Sequence, residues 1–286
     1  MNDGFVRYTP DLILGIGGTV AIILGAIRQD EKMHDFLRWI SLIFLGACAV
    51  SLSATRVSDM VPAAAESGAW LVGAPLKVAF GLVFLAIVAW TVVVANPPRS
   101  SAGEWYGLLL FAALGMLVLS RAANLAGVFL GVETLSLALY VLIAFYYRRG
   151  YALRAGVMYL VLAGFASGFL VFGMALVYAA YGQIEIASIQ ETIRTAKGPG
   201  ALGLIGFGLF LVGVAFKLAV VPFHMWAAEV YEASPGPVSG IIASASKGAT
   251  MAALIPFLFL LPSHGGIIAL LAGLSMIGGN LLGLRE

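Results

Sequence analysis

Nine stretches of mostly apolar residues, 16 to 27 residues long, run through this chain, and an α-helix needs about 20 such residues to cross the hydrocarbon core of a bilayer. Their approximate limits are 10–28, 36–55, 74–95, 105–120, 122–147, 155–181, 201–221, 237–261 and 265–284. Only 10% of the residues are charged, whereas a soluble domain carries about 25%. No connecting segment is long enough to separate two domains. The sequence therefore predicts an all-α integral membrane protein, a multi-span helical bundle of about nine spans that forms a single membrane domain over residues 1–286.

Charge and cysteine content exclude several classes of function. The formal net charge is only +2 and the basic residues are scattered, which excludes the basic patch of a nucleic-acid-binding protein. The only cysteine, Cys48, excludes a disulfide framework and a cysteine-ligated metal or iron–sulfur site within the chain. No small-residue cleavage site follows the first apolar stretch, so we expect it to remain as a span rather than to be removed as a signal peptide.

Basic residues are distributed unevenly between the two sides of the predicted bundle. The loops after the first and fifth spans carry Arg28, Lys32, Arg38, Arg148, Arg149 and Arg154. The polar stretch 182–200 after the sixth span, interpreted as a loop, carries only two basic residues. Because basic loops stay in the cytoplasm, this small imbalance predicts an N-terminus on the outside.

Three charged residues lie in the middle of apolar spans. Glu133 is in the fifth span, Lys217 in the seventh and Lys247 in the eighth. A charge at the centre of a bilayer costs about 2.5–3.5 kcal/mol on insertion scales, so each needs a compensating environment. We predict a shared polar cavity in which Glu133 neutralises one lysine at a time and leaves the other ready to lose its proton. This pattern indicates proton transfer between buried sites.

Two alternatives stay open at this point. A buried pair of Glu133 and Lys217 can serve only to hold two helices together, although Lys247 is then left without compensation. His224 follows closely on Pro222, which interrupts the hydrogen bonds of the seventh span at membrane depth. This histidine can relay protons near neutral pH, or it can simply bond to a carbonyl group freed by the break.

The segments around these residues resemble a known family. The resemblance rests on GVFLGVETLSLALYVLIAF, which contains the glutamate of the fifth span, on the pattern KxxxVPFHxW in the seventh, and on SK in the eighth. Together with VPFHMWAAEVYEASPGPV and LAGLSMIGGNLLGL, they are most similar to the subunit N family of bacterial proton-translocating NADH:quinone oxidoreductase, complex I. That family is related to the Mrp-type antiporter subunits.

The resemblance implies an antiporter-like fold of about fourteen helices, with two inverted repeats that each contain a broken helix. Residues 1–100 then correspond to three N-terminal spans, 101–262 to the first repeat with a broken seventh helix, and 263–286 to the start of the second repeat. The rest of the second repeat has no counterpart in this sequence. We therefore expect the C-terminal part of the family fold to be missing.

The resemblance also implies roles for the buried residues. By matching positions, Glu133 and Lys217 form the coupled pair of the first repeat, and Lys247 is the next proton carrier. Pro222, as the helix break, and His224, as a candidate relay, complete the predicted site. The implied activity is that of a non-redox, proton-translocating subunit of a respiratory enzyme complex. The chain itself is expected to bind no metal or cofactor, while other subunits use NADH, FMN, iron–sulfur clusters and quinone.

The implied partners are the other membrane and peripheral subunits of complex I and the lipid bilayer, with no nucleic acid among them. The implied location is the bacterial inner membrane, crossed several times, with the N-terminus in the periplasm. An Mrp-type cation/proton antiporter subunit is the alternative function, and a membrane scaffold without proton transfer is a third. Co-purifying flavin and iron–sulfur subunits would favour the first function, and sodium-dependent proton flux the second.

Overall fold

The structure, a computed structural model, describes residues 3–54, 68–196, 198–258 and 265–283. Within these ranges the chain forms twelve α-helices and no β-strand. In chain order they are α1 (Asp3–Ile27), α2 (Glu31–Ala54), α3 (Gly68–Val94), α4 (Ala102–Arg121), α5 (Leu125–Ile143), α6 (Gly150–Tyr181), α7 (Ile186–Thr195), α8 (Gly200–Leu218), α9 (Met225–Ala233), α10 (Gly236–Ile241), α11 (Lys247–Leu258) and α12 (Gly265–Gly283). A π-helical turn, Ile242–Ser246, joins α10 to α11.

Eight helical segments in the described residues are long and apolar enough to cross a membrane. They are α1 to α6, α8, and the continuous run from α10 to α11. The predicted all-α, multi-span membrane bundle is confirmed, and α12 occupies the position of the predicted ninth span. The first two helices begin earlier than predicted, at Asp3 and Glu31, because apolar length marks only the part of a helix that lies in the hydrocarbon.

The fourth helix is the centre of the bundle. It packs against α1, α2, α3, α5 and α11, and it is buried on most of its surface. Trp105, Tyr106 and Met116 are among its fully buried side chains. At its end, the Arg121 guanidinium binds the carboxylate of Asp11 in α1 at 2.5 Å, so these two charges compensate each other inside the membrane. The N-terminal helices are thereby connected to the part of the chain that carries the predicted site.

Glycines bring α6 and α8 into close contact. A Cβ at Gly206 of α8 would lie 2.8 Å from the backbone nitrogen of Val177, and one at Gly173 of α6 would lie 2.7 Å from the carbonyl oxygen of Gly206. Real Cβ atoms do not approach so closely, so both positions need glycine. Small residues of this kind allow helices to associate in lipid, where burial of apolar surface gives no driving force. The pair then packs on α5 through α6.

The stretch 182–200 is not a simple loop, which corrects the sequence interpretation. It contains α7, a helix of 10 residues whose apolar side chains recur on one face. Ile186, Ile189 and Ile193 are buried against the bundle, while the opposite face is polar. The Gln190 side chain donates from Nε2 to the carbonyl oxygen of Pro256 at 2.9 Å, which connects α7 to the last part of α11.

The seventh span is broken, as predicted. The helix α8 ends at Leu218, the chain turns through residues 219–224, and α9 begins at Met225. Pro222 explains where the break lies. In a continuous helix the ring of this proline would collide with the carbonyl group four residues earlier, which belongs to Leu218, so the helix has to end there.

A Schellman motif closes the end of α8. The amide of Val220 donates to the carbonyl oxygen of Ala215, and the amide of Ala219 donates to that of Phe216, both at 3.0 Å. Ala219 has a φ angle of +56°, which is the left-handed conformation that usually belongs to glycine at this position. The orphan carbonyls of the helix end are therefore partly satisfied within the turn.

The turn is also bound by the last helix. The amide of Val221 donates to the Ser275 hydroxyl of α12 at 3.1 Å. A Cβ at Gly278, one turn further along α12, would lie 3.1 Å from the Val221 side chain, so the two elements are in close contact. The backbone of the break is thus satisfied in part by a side chain of α12.

We expect Ala219→Gly to raise the free energy of unfolding by about 1 kcal/mol, because glycine adopts the left-handed conformation without the steric cost of a Cβ. The matched control is Ala215→Gly, one turn earlier in α8, which should lower it by a similar amount through the loss of helix propensity. Unfolding in detergent, followed by circular dichroism, measures both. An equal loss of stability in the two variants would contradict the left-handed closure of α8.

Candidate functional site

Lys217 lies in the last turn of α8, where α5, α6 and α8 meet. Its side chain is almost completely enclosed, with 2% of the residue surface exposed. The ammonium group donates to the Ser136 hydroxyl of α5 at 2.8 Å and to the Tyr159 hydroxyl of α6 at 3.0 Å. The carbonyl end of a helix carries partial negative charge, so its position in the last turn also favours a buried cation. Hydroxyl groups and a helix end therefore compensate this lysine.

Glu133 lies on the same face of α5 as Ser136, one helical turn earlier, and is partly exposed. Its carboxylate accepts a short hydrogen bond from the Ser167 hydroxyl of α6. Among the described residues no ion pair joins Glu133 to Lys217, although the two charges interact electrostatically. The structure thus brings the predicted pair to one site, with Ser136 rather than the carboxylate in contact with the ammonium.

Aromatic rings enclose the lysine on its other side. The ring of Tyr159 stacks on Trp226 of α9 at 4.5 Å between centroids and meets the ring of Tyr140 edge-on at 5.2 Å. The Trp226 indole donates to the carbonyl oxygen of Phe216 at 3.0 Å. Because Phe216 precedes the break and Trp226 follows it, this hydrogen bond joins the two halves of the seventh span.

Lys247 is the first residue of α11 and directly follows the π-helical turn. Turns of this type are frequent at functional sites. The Lys247 ammonium lies 5.6 Å from the ring centre of Tyr231, and that ring lies 6.4 Å from Trp226. The Tyr231 hydroxyl is buried and has no hydrogen-bond partner in the part of the chain that the structure describes. Aromatic side chains therefore form a continuous connection between the two lysine sites, through Tyr159, Trp226 and Tyr231.

His224 lies in the turn just before α9 and is partly exposed. Its Nδ1 atom is buried, and within the described ranges it has no hydrogen-bond partner. The expectation that a freed carbonyl satisfies this histidine is therefore not met at Nδ1. No described hydrogen bond or ring contact joins His224 to Lys217 or to Lys247. Of the four residues predicted to transfer protons, it is the one that the structure connects least to the others.

Three residues in contact with the predicted charges were not among the predicted site residues: Ser136, Tyr159 and Ser167. Ser136 had a usable signal, because it lies three residues after Glu133 and so on the same helical face. Tyr159 and Ser167 had no local signal, since they belong to a different helix and are recruited only by packing. No cluster of three or more His, Cys, Asp or Glu side chains suited to a metal occurs in the described segments.

Residues 122–286 match the family described as "NADH:quinone oxidoreductase/Mrp antiporter, TM", and this match covers more than half of the chain. The chain belongs to this antiporter family. The matched region includes Glu133, Lys217 and Lys247, together with both halves of the broken span.

Two solved structures resemble this family member along most of its length. A chain of respiratory complex I from Thermus thermophilus with bound aureothin is 31% identical, with a TM-score of 0.78, covering 97% of this chain and 59% of that one. A chain of the archaeal membrane-bound sulfane sulfur reductase, a respiratory membrane complex, is 21% identical, with a TM-score of 0.67, covering 85% and 51%. The antiporter-family chain therefore spans between half and three fifths of the length of these two relatives.

We expect Lys217→Met to lower the free energy of unfolding by less than about 1 kcal/mol, or to raise it. The reason is that methionine replaces a desolvated cation held by neutral hydroxyls with an apolar side chain of similar length. The matched control is Arg121→Met. It leaves the carboxylate of Asp11 buried without its cation and should cost about 3 kcal/mol. Thermal unfolding in detergent compares them, and equal losses would assign Lys217 a mainly structural role.

Proposed function

We propose that this chain is a proton-translocating, non-redox membrane subunit of a respiratory NADH:quinone oxidoreductase, of the subunit N type. The observation that carries the proposal is the environment of Lys217. Its ammonium is enclosed at a helix break, bonded to the hydroxyls of Ser136 and Tyr159, with the carboxylate of Glu133 close by but not in contact. A buried cation without an adjacent anion costs free energy, so small changes nearby alter how readily it gives up its proton.

In this proposal Glu133 is the control element. Energy from redox chemistry in neighbouring subunits arrives as a change in the charge or position of its carboxylate. Because Ser136 binds the ammonium and lies one helical turn after Glu133 on α5, a rearrangement of the Glu133 carboxylate and its bond to Ser167 alters the electrostatic environment of Lys217. Such coupling requires two states of the site with different interaction free energies.

The proton released from Lys217 passes to Lys247 in the next step. In this proposal the Tyr159 hydroxyl, which is bonded to Lys217, and the Tyr231 side chain, whose ring lies next to Lys247, serve the route between the two lysines, and water completes it. His224 contributes as a candidate relay at the edge of the break. The break allows α8 and α9 to move relative to each other during proton transfer, since they are joined by a turn rather than by continuous helix.

The wider context of this proposal is a bacterial inner membrane, with the N-terminus in the periplasm. The partners are the other membrane and peripheral subunits of the complex, and these hold the NADH, FMN, iron–sulfur and quinone sites. Similarity to chains of two respiratory membrane complexes supports membership of such an assembly.

A second candidate function is an Mrp-type cation/proton antiporter subunit. The family that matches residues 122–286 includes both kinds of protein, which is the observation that favours it. The chains that co-purify with this one, and the effect of sodium on proton flux in vesicles, separate the two functions. A scaffold without proton transfer is the third possibility, and the substitutions below address it.

Removing either member of the coupled pair tests the proposal. We expect Glu133→Gln and Lys217→Ala each to lower proton pumping by the assembled complex at least tenfold, because a group that transfers a proton contributes about 10²–10⁴-fold to the rate. Assembly should stay near normal. Glu191→Gln and Lys32→Ala, at exposed positions, are the matched controls and should pump normally. Loss of assembly in the Glu133 or Lys217 variant, rather than loss of pumping, would favour the structural-pair interpretation.

Lys247→Arg distinguishes a proton carrier from a fixed charge. Arginine preserves the positive charge but keeps its proton at any physiological pH, so it cannot pass a proton on. We expect Lys247→Arg and Lys247→Ala each to reduce pumping in reconstituted vesicles to below about a tenth of the wild-type rate. Near-normal pumping by the arginine variant would mean that Lys247 acts only as a charge.

A further inference from the structure

A polar pocket lies at one end of the bundle, away from the proposed proton route. It is formed where α2 begins, α3 ends and the connection to α4 starts, and its volume is about 570 Å³. Its polar lining residues are Glu31, His34, Asp35, Arg38, Asn96 and Arg99. Charged groups of both signs therefore surround one cavity at the surface of the membrane domain.

One basic residue of the pocket, Arg38, is held in place by the bundle and keeps unused hydrogen-bond donors. The Arg38 guanidinium donates from Nε to the Tyr106 hydroxyl at 3.2 Å and from Nη2 to the Ala95 carbonyl oxygen at 3.3 Å. A guanidinium has five N–H groups, so these bonds orient it while engaging only two of them. This geometry suits the bidentate recognition of a phosphate group.

His34 gives the strongest sign of a ligand. It is 7% exposed, and its Nε2 atom is buried without a hydrogen-bond partner among the described residues. Leaving a buried polar atom unpaired costs about 1–3 kcal/mol, so such atoms in native proteins call for an explanation. His34 lines the same cavity as Arg38, so a ligand that enters this cavity would meet the imidazole as well as the guanidinium.

The acidic residues indicate that the ligand carries a positive charge as well. Asp35 lines the pocket and is largely exposed, and the Nδ1 atom of His34 lies 3.6 Å from its carboxylate. Glu31 is already paired with Arg99 at 2.6 Å. Apart from His34, no described side chain pairs with the Asp35 carboxylate, which lies next to the side chains suited to phosphate. A phosphate and an ammonium group in one ligand match this arrangement.

The surroundings of the pocket identify the ligand as an amphiphile. Trp39 of α2 and Trp90 of α3 are 65% and 68% exposed and lie close in sequence to the lining residues. Exposed tryptophans of this kind mark the level of the lipid headgroups. Val93 and Val94, both exposed, line the pocket directly. An acyl chain leaving the cavity would therefore meet apolar surface.

We propose that this pocket binds the headgroup of a zwitterionic phospholipid with a primary amine, with the phosphate on Arg38 and His34 and the ammonium on Asp35. The site is independent of proton transfer, and basic pockets between helices at the membrane surface are known to hold lipid headgroups. A free phosphate compound shares part of this chemistry but lacks the acyl chains that contact the apolar rim.

Native mass spectrometry of the purified full chain tests the site. Phosphatidylethanolamine is titrated against phosphatidylcholine, whose quaternary ammonium has no N–H to donate, and against inorganic phosphate. We expect one phosphatidylethanolamine per chain to bind about tenfold more tightly than phosphatidylcholine, which is the effect of one charge-assisted hydrogen bond. Inorganic phosphate should not displace it. Equal affinity for the two lipids, or displacement by inorganic phosphate, would overturn the proposal.

Variants locate the binding in the pocket. Asp35→Asn is at an exposed position and should fold normally, and we expect it to abolish the preference between the two lipids. His34→Leu should weaken the binding of both lipids about tenfold through loss of a phosphate donor. Arg28→Gln, an exposed arginine at the same end of the bundle that pairs with Asp30 outside the pocket, is the control and should bind as wild type. An unchanged preference in Asp35→Asn would rule out this site, whether or not His34→Leu folds.

Discussion

The helices of the candidate site are arranged around one buried ammonium group. Lys217 is enclosed because α6 and α8 meet through glycines, because α8 ends one residue later, and because α5 presents a hydroxyl to the junction. A continuous helix through residues 219–224 would remove the carbonyl end that favours the cation. The break in the seventh span is therefore a condition for holding this charge in the membrane as well as a source of conformational freedom.

Much of the fold could be predicted because a membrane leaves few choices. In lipid every backbone polar group has to be satisfied inside its own segment, so apolar length alone identifies helices. Pro222 located the broken span for an equally local reason, the collision of its ring with the preceding turn. The helix α7 was missed because its apolar face is short and its composition is polar, and only docking on the bundle stabilises it.

The candidate site was predicted in its charges but not in its contacts. Glu133, Lys217 and Lys247 could be identified because a charged side chain in an apolar span costs free energy. The partners of Lys217 were not, because Tyr159 reaches it from another helix and the preference for hydroxyls over the carboxylate depends on the register between helices. The π-helical turn before Lys247 likewise leaves no mark in the hydropathy pattern.

The hydrogen bond from the amide of Val221 to the Ser275 hydroxyl connects α12 directly to the turn of the broken span. If α12 moves away, an amide at membrane depth loses its partner, at a cost of about 1–3 kcal/mol. The shape of the turn and the position of α12 are thus coupled mechanically. A displacement that begins at the C-terminal side of this bundle can reach the neighbourhood of Lys217 through one backbone group, without any charge having to travel.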